Sequence, residues 1–264
     1  MVSPFICIEF NGDKAFDVIN GQSTQVAPAL TEKNAPLAAF CDPKGRMFGS
    51  GRLLVIDRVL HFITPLDQVD SLLQQLSPFL SLSRVSSKIS DRRVVLTRHA
   101  NSNPGQVSGD GKIIIVGEFG STAWIIGDSS VSHHIEADVS RLKSGLGFVR
   151  SSSTKLCIPQ QAHYQMLGGI SFNKGCYTGQ EIIARLEHLG QTKKYLWVFE
   201  GQAIPLGGML ELDNSLKLPV FDYVKTLNGS AALVLAPADI TSERLTRVPF
   251  EISRQVEGQR PIKL

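Results

Sequence analysis

Helical signals in this chain come singly, separated by runs of short β-prone segments, and that alternation constrains its fold more than any other feature. Residues 4–10 are rich in Ile and Phe and read as a first strand. Residues 13–20 follow as a short helix, with Ala15, Phe16 and Ile19 facing inward and Gly21 ending it. Residues 37–41 and 47–56 read as strands joined through Asp42-Pro43-Lys44-Gly45, where proline after aspartate and a glycine two further on favour a turn. Residues 58–63 add another strand. Thr64-Pro65 then opens the clearest helix, with a threonine cap, proline at the first helical position and Asp67 in the positive first turn. Leu66, Val69, Leu73, Leu76 and Leu80 supply its buried stripe. Strands dominate residues 82–127, at 92–98, 112–116 and 123–126, around an Asn-, Ser-, Gly- and Pro-rich loop at 101–111. Beyond Gly190, short strands at 196–199, 217–225, 231–235 and 248–252 read as a small β-barrel or sandwich. The expected class is α+β, not a doubly wound parallel sheet, with a boundary near 191–194.

At 264 residues the chain has room for two domains or three small ones. Its 42% hydrophobic and 19% charged content is that of an ordinary globular protein. A net charge of +3 lacks the strong basic stripe of a dedicated nucleic-acid binder. Arg244, Arg247, Arg254, Arg260 and Lys263 are interrupted by Glu243, Glu251 and Glu257 and read as a solvated face. No apolar stretch reaches the ~18 residues of a membrane helix. The start has no charged region followed by a long apolar run, so a cytoplasmic chain with reduced thiols and no membrane partner is expected. Cys7, Cys41, Cys157 and Cys176 show no C-x-x-C spacing, and the histidines are not spaced with them as zinc ligands. A permanent iron–sulfur cluster generally takes four thiolates, so no resident metal is expected.

Chemistry concentrates in Lys174-Gly175-Cys176-Tyr177-Thr178-Gly179-Gln180-Glu181. Thr178 and Glu181 have capping-box spacing, and Ile182, Ile183, Leu186 and Leu189 mark an apolar helical stripe behind them. Glu181 and Arg185 sit four apart in the favourable order, with His188 in the last turn and Gly190 as the stop. Upstream, residues 167–172 read as a glycine-bent extended segment. Cys176 is thus expected in a strand-to-helix connection, near unpaired first-turn amides and with Lys174 two residues away, a setting that favours thiolate. The alternative is a buried, inert cysteine. His163 and His188 read as polar surface or capping residues, since a cysteine–histidine enzyme also needs an orienting group and an oxyanion hole.

These residues carry a resemblance. Lys174 to Glu181 resembles the signature octapeptide of the YgfZ family, with Leu167-Gly168-Gly169-Ile170-Ser171-Phe172 preceding it. Gly12-Asp13 through Gly21-Gln22-Ser23-Thr24 is similar to that family's glycine–helix–GQxT segment, Asp42-Pro43-Lys44-Gly45-Arg46 to its DxKGR turn, and Ile158-Pro159-Gln160 stands at the family distance before the signature. The match runs to about residue 195 and is only general beyond it.

The resemblance implies a folate-binding factor, similar to the glycine cleavage T-protein, linked to iron–sulfur protein maturation and tRNA modification. It implies a ring of mixed α/β domains and a terminal β-barrel around a central folate channel. The corresponding division is 1–190, as two interleaved subdomains of roughly 1–45 with 130–190 and 46–129, followed by 191–264. Cys176 would be the functional thiol, Lys174 would keep it ionised, Tyr177 and Gln180 would shape the site, and Glu181 and Arg185 would fix the helix. Tetrahydrofolate or another folate would meet Phe5, which stands where bacterial members often carry a stacking tryptophan, with Gln22 and Thr24 in the channel and Lys44 and Arg46 holding the glutamate tail or a phosphate. Three positions depart from the pattern. Ala137 stands where a second aromatic would lie, Lys143 where T-proteins have a pterin-recognising glutamate, and Gly49-Ser50 where aminomethyltransferases carry a catalytic aspartate. The implied partners are iron–sulfur client enzymes or cluster-assembly proteins, with tRNA effects indirect. The competing readings are a tetrahydrofolate-dependent aminomethyl or one-carbon transferase and a direct tRNA-binding module.

Overall fold

Both faces of the first sheet's inner strands are covered, so neighbouring residues such as Cys7 and Ile8, or Ala38 and Ala39, are buried on opposite sides. A computed structural model describes residues 3–100, 103–190, 192–212 and 216–248. In β1 (Phe5–Asn11), Phe5 and Cys7 enter one core while Ile8 and Phe10 enter another. β2 (Leu37–Cys41) splits the same way, Leu37, Ala39 and Cys41 against Ala38 and Phe40, as a two-residue period dictates. With β3 (Met47–Ile56), β4 (Val59–Pro65) and β5 (Ser86–Ile89) they form an antiparallel sheet ordered β2-β3-β4-β1-β5. Helices α1 (Ala15–Gln22) and α2 (Val69–Leu82) cover one face, packing Ala15, Ile19, Leu72, Leu76 and Leu80 on Ile8, Phe40 and Phe62.

The other face meets two more antiparallel sheets. One is built from β6 (Val94–Arg98), β7 (Val107–Gly109), β8 (Ile113–Glu118) and β9 (Thr122–Gly127), ordered β6-β9-β8-β7. The other comprises β10 (Lys194–Gly201), β11 (Met209–Leu212), β12 (Leu216–Thr226), β13 (Gly229–Pro237) and β14 (Leu245–Arg247), ordered β11-β12-β13-β10-β14. A single core cluster threads all three sheets, joining Phe5 and Leu54 to Leu96, Val116 and Trp124 and on to Phe221 and Leu233. Between the second and third sheets lie α3 (Ile135–Lys143), a long run of turns, and α4 (Gln180–Leu189). The fold is α+β, with several antiparallel sheets and few helices.

Several expectations are corrected. Thr64 does not cap α2: it stays in β4, where its hydroxyl donates to the Ser50 carbonyl at 3.1 Å. A 3-10 turn at Leu66–Gln68 intervenes, Leu66 is exposed, and Leu72 takes its place in the core. Pro78 lies inside α2, and the Gln74 carbonyl it cannot serve accepts the Ser77 hydroxyl at 2.9 Å. Helix α3 is no part of the sequence expectation. The division at 45/46 cuts across a sheet, because β2 pairs with β3 and β1 with β4. Among the described residues the C-terminal strands form one five-stranded antiparallel sheet. Apart from Val248, the strand expected at 248–252 lies outside the described residues, as do Arg254, Arg260 and Lys263. No helix of the described residues is long and apolar enough to cross a membrane.

The first two sheets are bolted together by a buried ion pair. Arg52 of β3 donates through Nε to Glu118 Oε2 of β8 at 2.8 Å and through Nη2 to Oε1, while its Nη1 donates to the Ala35 carbonyl at 2.9 Å. Glu118 also accepts Trp124 Nε1–H at 2.9 Å and the Phe119 N–H at 3.0 Å. Glu118→Ala would leave a guanidinium buried without its anion, and urea unfolding should show a loss of about 3–5 kcal/mol.

Candidate functional site

The candidate site is assembled where α1 hands over to the chain beside β2. Thr24 donates its N–H to the Ala39 carbonyl at 2.9 Å. Its hydroxyl accepts the Ala39 N–H at 2.9 Å and donates to the Gly169 carbonyl at 2.6 Å. The Thr24 carbonyl accepts the Ser171 N–H at 2.9 Å, and Gln25 Nε2 donates to Leu37 O at 2.8 Å and Gly168 O at 2.7 Å. These bonds hold residues 167–172, which run from a turn at 167–168, with Gly168 at φ 73°, through irregular chain at 169–171 to a bend at Phe172.

Lys174 closes the same junction from outside. Its Nζ donates to the carbonyls of Asn20, Ser23 and Gln25, each at 2.7 Å, and lies 4.7 Å from the centre of the Tyr177 ring. All three ammonium donors are thereby used on the C-terminal end of α1 and the loop after it, where carbonyls lack partners. Burial pulls its pKa down to about 8. Lys174 is therefore an anchor for the loop carrying Cys176, held by three neutral carbonyls.

The octapeptide also differs in how its helix starts. Gly179, at φ 86°, is the residue before α4, with no side-chain cap. The capping box of Thr178 and Glu181 is absent because the Thr178 hydroxyl donates to Gln22 Oε1 at 3.0 Å, while the Thr178 N–H donates to Gly21 O at 3.1 Å. Gln180 Oε1 accepts the Tyr177 N–H at 3.4 Å. Tyr177 is buried, which raises its hydroxyl pKa well above the usual range, so it packs and does not exchange protons near neutrality. Glu181 and Arg185 are exposed on α4, as is His188.

The β2–β3 turn abuts this helix start. Asp42 Oδ1 accepts the N–H groups of Lys44 and Arg46, both at 2.9 Å, and Gly45 adopts φ 73°. A Cβ on Gly45 would fall 3.1 Å from Ile182 Cβ, and one on Gly179 would fall 2.7 Å from the Asp42 carbonyl. Both glycines are thus required by close approach as well as by conformation. The Lys44 and Arg46 side chains are exposed beside the start of α4. Gln160 ties the third motif in, its Nε2 donating to Ile183 O at 2.7 Å.

At the centre, Cys176 is exposed, whereas Cys7, Cys41 and Cys157 are buried. Burial pushes the Cys7 thiol up to about 12 and raises Cys41 and Cys157 strongly as well. His163 is enclosed, its Nε2 against Leu196 O at 2.9 Å and its ring stacked on Tyr195, so it is committed to packing.

The fold of the whole chain has a solved counterpart. The glycine cleavage system aminomethyltransferase T from Bartonella henselae is similar to it with a TM-score of 0.63, over 89% of this chain and 77% of that one, at 14% identity. The fold is T-protein-like. No family model matches the chain.

Within this T-protein-like fold, the residues expected around a folate do not assemble as a pocket. Gln22 and Thr24 are buried and spent on the junction, and Phe5 is 2% exposed inside the core. Ala137 is buried, and Lys143 is exposed with its Nζ 2.8 Å from Glu200. Of the folate set only Lys44 and Arg46 reach solvent. Gly49 and Ser50 supply no carboxylate: Gly49 packs on Leu72, where a Cβ would sit 2.6 Å from Cδ1, and the Ser50 hydroxyl accepts the Val149 N–H at 2.8 Å. Sequence reasoning missed Gln25, whose only signal is a further polar residue after the glutamine–serine–threonine run.

Iodoacetamide should label Cys176 at least ~100-fold faster than Cys7, Cys41 or Cys157 in the folded chain, as read by peptide mass spectrometry; comparable rates would place the sulfur in the core. Lys174→Met should cost about 2 kcal/mol in urea unfolding and accelerate amide exchange across residues 174–178.

Proposed function

We propose that this chain is an accessory protein that supports the maturation or repair of iron–sulfur enzymes, tRNA-modifying enzymes among them, through the thiol of Cys176. The observation that carries the reading is the contrast among its sulfurs: Cys176 is exposed at the point where the motif segments converge, and Cys7, Cys41 and Cys157 are buried. The resemblance of residues 174–181 to the YgfZ signature supplies the biological direction, and the T-protein-like fold is consistent with it. Among the described residues no group of three or more His, Cys, Asp and Glu side chains is placed to hold a metal ion. On this reading Cys176 carries an adduct or shares a cluster with ligands from a client or cluster-assembly partner. The exposed cations Lys44 and Arg46, on the turn that abuts the start of α4, suit an acidic partner surface or the glutamate tail of a folate. No step is assigned to folate, because the interior residues do not fit it.

Aminomethyl transfer is disfavoured by the packing at Gly49 and Ser50, which leaves no general base there. Direct tRNA binding is disfavoured by the net charge of +3. The effect on tRNA is then indirect, and a cytoplasmic location is part of the proposal.

In cells lacking the chain, the wild type should restore the activity of iron–sulfur tRNA-modifying enzymes and Cys176→Ala should not, while the purified variant keeps its melting temperature. Full complementation by the alanine variant overturns the reading.

A further inference from the structure

The place the resemblance reserves for a pterin is among the most enclosed parts of the molecule. The Phe5 ring meets Trp124 edge-on at 4.7 Å and Phe148 at 5.9 Å between centroids. The guanidinium carbons of Arg141 and Arg150 lie 5.6 Å and 5.9 Å from the same ring centre. Arg141 and Asp222 are 1% and 0% exposed. Arg141 Nη1 donates to Asp222 Oδ2 at 2.9 Å and to Leu146 O at 2.7 Å, and Nη2 donates to Asp138 Oδ1 at 3.3 Å. Asp222 Oδ2 also accepts the Phe148 N–H at 3.0 Å. Its Oδ1 has no hydrogen bond and faces Arg150 Nε at 3.9 Å.

The network continues outward. His133 Nδ1 accepts the Leu96 N–H at 3.2 Å, which leaves Nε2 to carry the proton donated to Asp138 Oδ2 at 2.6 Å. Burial would raise the Asp138 pKa, but the His133 bond and the Arg141 charge hold it below the usual carboxylate value. Phe5 belongs to the first sheet, Trp124 to the second and Asp222 to the third, where a bulge in β12 between Val220 and Asp222 breaks the register with β13. Phe5, Trp124, Phe148, Arg141 and Asp222 are each at most 2% exposed, which leaves no room for a bicyclic ring among them. A pteridine stacked on Phe5 would have to evict Trp124 or Phe148 and part Arg141 from its anions.

We infer that Phe5, Arg141 and Asp222 form a solid keystone between the three sheets, so this chain does not stack a reduced folate on Phe5. The inference rests on the fold and the packing, and not on the role proposed for Cys176.

Two measurements on the full chain test it. 5-Formyltetrahydrofolate is titrated by calorimetry with hydrogen exchange in parallel. Expected is no saturable heat and no protection of residues 5–10 or 146–150. Binding with protection confined to residues 42–46 also upholds the inference, because the glutamate tail then rests on the Lys44–Arg46 turn with the pterin outside. Saturable binding that protects 5–10 and 146–150 overturns it. Second, Asp222→Asn should lower the melting temperature by on the order of 10 °C, and the Arg141→Met/Asp222→Leu pair should recover most of that loss. Should the single variant fail to fold, folding of the double variant gives the same answer; equal or additive damage in the double variant refutes the keystone. These readouts do not touch the thiol, so either proposal can fail while the other stands.

Discussion

The Thr24 hydroxyl is the bond on which the candidate site depends. It sits between the Ala39 amide and the Gly169 carbonyl, joining a strand of the first sheet to a loop that lies 145 residues after Thr24 itself. One oxygen acts as acceptor and donor at once in a buried place, where either bond left unmade would cost about 1–3 kcal/mol. Gln25 repeats the link one residue on, and Lys174 seals it from outside with three further bonds. The loop bearing Cys176 has no regular secondary structure to hold it, so these polar contacts and the Gly45–Gly179 approach do that work. The sulfur is exposed, yet the backbone beneath it is tied at many points.

The two proposals describe opposite treatments of one scaffold. Just before α4 the chain leaves a thiol uncovered, and the turn that abuts the helix start carries two exposed cations. In the interior it closes the junction of three sheets with aromatic rings and paired charges. Buried ion pairs gain little net stability over apolar packing, but they impose strong geometric demands. Arg141 and Asp222 lie 81 residues apart, and their bond fixes how the third sheet sits against α3.

What was legible in the sequence follows period and turn chemistry. The strands around residues 4–10, 37–41 and 47–56 were readable because β-rich apolar runs between turn residues survive into the structure, and Asp42 and Gly45 shape the turn between two of them as their chemistry suggests. The Cys176 segment was singled out by its polar, glycine-rich surroundings, and its thiol is exposed where the other three are buried. The helix details were not readable. Thr64 and Thr178 both resemble caps, but each hydroxyl is taken by a distant partner, Ser50 O and Gln22 Oε1, and tertiary bonds override local propensity. The anchoring of Lys174 was not readable, because spacing does not reveal that the end of α1 lies within its reach. The Phe5 environment was unreadable for the same reason: Trp124, Phe148 and Asp222 converge on it only through topology.

Burial of Cys7, Cys41 and Cys157 has a consequence for the chain's life under oxidative stress. Peroxide reaching the folded protein finds a single exposed thiol to oxidise, and a sulfenic acid on Cys176 can be returned to thiol by a small reductant without unfolding anything. Cysteine damage is thereby confined to a replaceable state of one atom, while the thiols whose modification would split the hydrophobic interior stay out of reach until the molecule opens.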